Sequence, residues 1–164
     1  MIRCIAFDLF GTVFNLSNTP REEIKDYIDH IRKPVWEPLN LPKSWESLPL
    51  HPDSYNGIRE LSFKYNIVTC SNAPLKLTKR LLARTGLDFF MGITDISLNK
   101  VYKPHPRAYY SVCQQHFYAP NQVLMVTGNA NSPDIQGAEG VGMQAVMIRQ
   151  PNCIQNITEL SRAL

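Results

Sequence analysis

Four short apolar runs, each ending in a polar or glycine-containing turn, constrain this chain more than any other feature: Cys4 to Phe7, Ile67 to Cys70, Val123 to Val126 and Ala145 to Ile148. Short runs without polar alternation are the pattern of parallel strands covered on both faces. Segments of helical period lie between them. Ile58, Leu61 and Phe63 mark one before the second run, Leu75, Leu77, Leu81 and Leu82 a second, and Ala108, Tyr109, Val112 and Phe117 a third. Strand and helix therefore alternate, and the expected fold is α/β: a doubly wound, Rossmann-like parallel sheet with helices on both faces. In such sheets a ligand sits at the carboxyl ends of the strands.

A chain of 164 residues can bury one core of this kind, so residues 1–164 read as one domain. The segment from Asn15 to Pro52 differs in texture, because Pro20, Pro34, Pro38, Pro42, Pro49 and Pro52 interrupt it. One helix is predicted there, from about Arg21 to Arg32, followed by irregular chain around Trp36 and Trp45. Too short for a second domain, residues 15–52 read as an insertion standing over the end of the first strand, a reduced lid.

With 44% hydrophobic and 19% charged residues the chain belongs to neither the disordered nor the fibrous classes. The net charge of +3 is spread along the sequence, which speaks against a nucleic-acid partner and suits a small anionic substrate. No apolar run reaches the roughly 18 residues of a membrane span, and the N-terminus enters the first run without the sections of a signal peptide. Cys4, Cys70, Cys113 and Cys153 lack zinc-site spacing and read as buried thiols of a cytoplasmic protein.

Chemistry-bearing residues cluster where the runs end. The first delivers Asp8 into Leu9-Phe10-Gly11-Thr12, the second ends at Ser71-Asn72, Lys103 stands in Tyr102-Lys103-Pro104, and the third run continues through Thr127-Gly128-Asn129-Ala130 to Asp134. Each has a bland reading: Asp8 closing a turn, Ser71 capping a helix near Pro74, Lys103 solvated in a turn, Asp134 opening a helix. Their order in one fold is far more specific than any member alone.

Taken together they resemble the four signature motifs of the haloacid dehalogenase (HAD) superfamily, over about residues 1–15 and 50–150. The resemblance implies an aspartate nucleophile at Asp8, with Ser71, Lys103 and Asp134 as its catalytic partners. Such a carboxylate splits a displacement into formation and hydrolysis of a covalent ester. An ammonium at Lys103 favours ionised Asp8, and Asp134 is placed to orient or deprotonate the water. Phe10, Gly11, Thr12, Asn72, Thr127 and Asn129 are the substrate-binding candidates. Ser71 and the backbone N–H groups near Phe10, Gly11 and Asn72 would hold anionic oxygens or a leaving halide.

Most of this superfamily are magnesium-dependent phosphatases with a second Asp two residues after the nucleophile, where this chain has Phe10. A benzyl group cannot donate a proton to a departing alkoxide, and Asn129 replaces a metal-binding carboxylate with a poorer amide ligand. A halide is too weak a base to need an acid. The motifs therefore resemble most the 2-haloacid dehalogenase branch, which implies no metal and no cofactor. Under the alternative of a phosphatase, Asp8, the carbonyl of Phe10 and Asp134 would hold Mg2+; a third alternative is a binding protein that keeps the fold without turnover.

Two departures stand out. Four residues separate Asn129 from Asp134, where the family has two, so a displaced water site is expected. The insertion is also much shorter than the usual cap, which supplies an arginine for the halide. Arg21 is the best positional match, Arg32 the second, and Trp36 and Trp45 are expected to close the pocket. A second copy of the chain is one way to supply missing cover, so the sequence leaves the oligomeric state open.

Overall fold

The computed structural model describes residues 1–130 and 132–164. Five parallel strands form one sheet, β1 (Cys4–Phe7), β2 (Asn66–Thr69), β3 (Phe90–Ile93), β4 (Val123–Thr127) and β5 (Gln144–Met147), in the order β3-β2-β1-β4-β5. β1 lies at the centre, and its register pairs Ala6 with Val68 on one side and Met125 on the other. The chain reverses its direction of winding between β1 and β4, so the crevice beyond their carboxyl ends is the natural ligand site.

Why the runs are apolar throughout follows from the two cores. Ile5, Phe7, Ile67, Leu124 and Val126 face one; Cys4, Ala6, Val68, Val123 and Met125 face the other. Successive side chains alternate across the sheet, and both faces are covered. On the first face pack α2 (Ser54–Ser62), α3 (Leu75–Thr85) and α6 (Ile157–Ala163) through Ile58, Leu61, Leu81, Ile157 and Leu160. α4 (Pro106–His116) and α5 (Asp134–Gly140) cover the second through Tyr109, Val112 and Ala138. Each fully buried Ile, Leu or Val among them contributes roughly 1.5–3 kcal/mol.

The doubly wound α/β expectation holds, and several details differ. β3 escapes a search for apolar runs because it is a half-buried edge strand, and Gly92 within it makes room for His116, whose Cε1 a Cβ there would meet at 2.6 Å. Phe63 and Phe117 are not on buried helix faces. They are 75% and 90% exposed, since each follows the last residue of its helix, Phe117 in the left-handed conformation at φ 63°. α6 carries too little periodicity to predict. Asn156 caps it by accepting from the Glu159 N–H at 2.8 Å, and Gly57 of α2 lets it approach. All four cysteines are free; Cys4 and Cys70 are buried, with thiols that burial pushes up to about 12, whereas Cys113 and Cys153 are only half-buried.

The insertion folds as α1 (Arg21–Ile31) and a single 3-10 turn over Lys43–Ser47. No residue of α1 is fully buried. The turn instead drives Trp45 into the core, where its ring meets those of Phe10 at 4.9 Å and Tyr27 at 5.8 Å. Trp45 Nε1 donates to Glu23 Oε1 at 3.1 Å, which ties helix to turn. Trp36 stacks on Tyr102 at 6.1 Å, and the Tyr102 hydroxyl donates to the Glu37 carbonyl. Among the described residues no helix is long and apolar enough to cross a membrane.

Candidate active site

The end of β1 hands the chain to a tight loop in which the N–H groups of Thr12, Val13 and Phe14 all converge on the Leu9 carbonyl at 3.0–3.1 Å. Gly11 takes a left-handed φ of +79°, and a Cβ there would come within 2.2 Å of Asn129 Oδ1, so only glycine fits. The loop presents Asp8 upward, buried. Thr12 and Asn129 each donate to its Oδ2 at 3.0 Å, with Thr127 Oγ1 at 3.5 Å, while Lys103 Nζ donates to Oδ1 at 3.0 Å. Thr12 Oγ1 itself accepts from the Gly128 N–H at 2.7 Å, which directs its only proton to Asp8.

Lys103 is held from both ends. Asn72 Oδ1 accepts its backbone N–H at 2.8 Å, and its ammonium reaches Asp134 Oδ2 at 2.9 Å as well as Asp8. Tyr109 donates to the other Asp134 oxygen at 2.7 Å, fitting a space that a Cβ at Gly137 would fill. The site is thus one ammonium between two buried carboxylates. Burial and the charge of Asp134 raise Asp8 above the ordinary carboxylate range despite Lys103. Burial also works against ionised Asp134, but Lys103 and the Tyr109 hydrogen bond outweigh it and hold that carboxyl low. Lys103, although buried, is raised well above its ordinary value by the two anions.

Over this group lies a cavity of about 620 Å³. Asp8, Asn72, Lys103, Asn129 and Asp134 form its floor, α1 contributes its apolar wall, and Arg32, Tyr102 and His105 stand at its rim. Of the sequence candidates, Phe10 also lines it. Gly11, Thr12 and Thr127 do not line it; Thr12 and Thr127 face Asp8. Ser71 is buried with its Oγ accepting from the Ala73 N–H at 3.0 Å, the turn-closing arrangement, and does not line the cavity. Arg21, expected to face the site, is the first residue of α1 and lies exposed and outside the cavity, whereas Arg32, one helix length on, lines it. Asp134, the first residue of α5, meets Lys103 in spite of the longer spacing from Asn129.

Three participants were not predicted. Tyr109 reads in sequence as one more apolar helix position, and only its hydroxyl could have suggested a buried partner. Tyr27 lies on the cavity side of α1, edge-on to Phe10 at 5.6 Å. Arg149 binds the Thr12 carbonyl through Nε at 2.9 Å and pairs with Asp53 through both terminal nitrogens, at 2.8 and 3.0 Å. No local motif announces a pair so distant in sequence.

The donors around Asp8 fit a metal ion poorly. Asn129 Nδ2 donates to Asp8 Oδ2 at 3.0 Å and to the Phe10 carbonyl at 2.6 Å, two of the groups that would hold a cation under the phosphatase alternative. Both face an N–H₂ group, a hydrogen-bond donor and not a cation ligand. Asp134 is already engaged by Lys103 and Tyr109. Among the described residues no group of three or more His, Cys, Asp or Glu side chains is placed to hold a metal ion.

Residues 21–142 match the family model of the haloacid dehalogenase-like hydrolases, a span that contains Lys103 and Asp134 and begins after Asp8. The chain is 24% identical to the (S)-2-haloacid dehalogenase of Xanthobacter autotrophicus over 194 aligned residues, covering 90% of this chain and 75% of that protein. It is 32% identical over 92 residues to the glyceraldehyde 3-phosphate phosphatase of Pyrococcus abyssi, 56% of this chain and 38% of that one. The structure of the Xanthobacter L-2-haloacid dehalogenase with chloropropionic acid covalently bound is similar at a TM-score of 0.74 and 20% identity, over 93% of this chain and 80% of that chain. That last likeness is one of fold. The first relative carries residues this chain lacks, since their alignment is longer than the chain itself.

Proposed function

The chain belongs to the haloacid dehalogenase-like hydrolase family, and from that premise we propose that it is a metal-independent 2-haloacid dehalogenase with Asp8 as nucleophile. Oδ2 of Asp8 is occupied by the donors beneath it, whereas among the described residues Oδ1 has only Lys103, so Oδ1 is the attacking atom. Its lone pair forms a bond to C2 of the substrate, and the carbon–halogen bond breaks with its electron pair leaving as halide. Water then adds at the Asp8 carbonyl carbon. The ester bond to Asp8 breaks, giving a 2-hydroxy acid, a proton and the free carboxylate.

Lys103 counteracts the burial that disfavours ionised Asp8, and Asp134, kept ionised, orients the water. Arg32 is the rim cation available to the leaving halide. Residues 15–52 act as a reduced cap on a single domain, and the free thiols suit a reducing cytoplasm.

The observation that carries this reading is Asn129, whose amide bridges Asp8 and the Phe10 carbonyl where a metal-dependent enzyme needs a cation. Phe10 adds to it. Its ring is locked between Tyr27 and Trp45, so nothing at that position can protonate an alkoxide, and only a leaving group needing no acid is served. The similarity to a phosphatase supports the competing reading, and one assay separates them. Halide release from 2-haloacids and phosphate release from small phosphate esters are each measured with EDTA and with magnesium. Halide release unchanged by chelation is the expected result. Magnesium-restored phosphate release without any halide would overturn the proposal.

A further inference from the structure

The cavity over Asp8 is larger than the displacement needs. Its 620 Å³ is room for about 20 water molecules. The smallest 2-haloacids have about six non-hydrogen atoms, each close to a water in size, and would leave roughly two thirds of it unfilled. The surplus space has a definite chemistry. Ile24, Ile28 and Ile31 recur at helical spacing along the cavity side of α1, with Leu16 continuing the wall. Ile28 and Ile31 are half-buried and pack into neither core, so what they face is the cavity. The polar and charged groups are segregated at the floor around Asp8 and at the rim around Arg32.

Resting on the dehalogenase reading above, we infer that the substrate is a medium-chain 2-haloalkanoic acid, with a hydrocarbon body of about six to ten carbons beyond C2. C2 sits over Asp8 and the alkyl chain runs along Ile24, Ile28 and Ile31. The substrate then supplies the apolar partner that the inner face of α1 lacks, and closure of the helix onto it expels water from the ammonium and carboxylates below. The bonds made and broken are those already described. Chain length enters through binding, where each methylene transferred from water to an apolar wall tightens association by up to about fourfold.

Two series on the full chain test this. Dissociation constants are measured for unhalogenated alkanoates from propanoate to tetradecanoate, and kcat/KM for halide release is measured for the corresponding 2-bromoalkanoates. Both are expected to improve about two- to fourfold per methylene and to level off once the tail fills the cavity. Ile28→Asp should flatten the series, and Ile31→Trp, by filling the far end, should move the optimum to shorter acids. Thermal unfolding of both variants confirms that they fold, as expected for positions on a helix with no buried residue. Halide release that is indifferent to chain length, or a series unmoved by Ile31→Trp, would overturn the inference and leave the dehalogenase reading standing. Graded alkanoate binding without halide from any bromo acid would do the reverse, upholding the apolar site and removing the chemistry.

Discussion

Beneath the cavity, Asp8, Thr12, Lys103 and Asp134 are all buried and each is bonded to at least one of the others; above it, α1 has no buried residue and is tied down through Glu23, Tyr27 and their contacts with Trp45. The lower set hangs from the ends of strands whose register the sheet fixes. Buried polar groups must be satisfied, and here they satisfy one another, so no member moves alone. An isolated helix of α1's length would be marginal in water, and its place is set by a few aromatic contacts. The proposed chemistry is therefore built where the fold is over-determined. Selectivity is left to the part that can be repacked.

The sharpest way to break that contrast is Asp8→Asn, expected to abolish turnover entirely while circular dichroism and the unfolding temperature stay close to those of the parent. An amide oxygen is no nucleophile at carbon, yet it nearly preserves the shape of the side chain. Measurable halide release from a purified variant of verified mass would remove Asp8 from the role.

Lys103→Met should cost less activity than loss of the nucleophile but more stability than any roof substitution. It leaves Asp8 and Asp134 facing each other without their shared cation, a situation worth about 3–5 kcal/mol at neutral pH by urea unfolding. The sign with pH follows from which state binds protons more tightly. Burial and Asp134 already raise Asp8 in the folded protein; removal of Lys103 raises it further and takes from Asp134 the main charge that holds it low, leaving burial to push that carboxyl up. The folded variant then takes up protons more readily than the unfolded chain, so stability is lost as pH rises through the raised values and regained as it falls. The gap to the parent should narrow between neutral and mildly acidic pH. A gap that stays constant would mean the two carboxyls do not share the lysine.

The same contrast explains what could be read in advance. The floor was legible because Asp8 and Asn129 follow the ends of β1 and β4, which pair in the sheet, with Asp134 opening the next helix, while the resemblance of its motif set Lys103, between β3 and α4, beside them. Ser71 and Thr127 lie near the expected positions, yet their orientation depends on turn geometry that residue type does not specify. Tyr109 and Arg149 act through contacts distant in sequence, which periodicity cannot see. In the roof, helix α1 was visible from its spacing, with its ends nearly right. Which of its two terminal arginines overhangs the site was not, because that depends on how Trp45 and Tyr27 dock the helix.

That choice between arginines gives the smallest predicted effect and the finest test of the roof. Arg32 lines the cavity and Arg21 does not, so Arg32→Ala should lower halide release while Arg21→Ala leaves it within about twofold. A buried charge-stabilising donor is worth about 100- to 1000-fold, but Arg32 is exposed, and water and salt offset much of its loss. About tenfold is therefore expected, and the loss should shrink as ionic strength rises, which a rearranged pocket would not show. Equal losses from both variants, or a deficit from Arg32→Ala that is indifferent to salt, would mean that α1 closes over the site in another orientation. The wall of the cavity would then have to be redrawn while the floor stayed as it is.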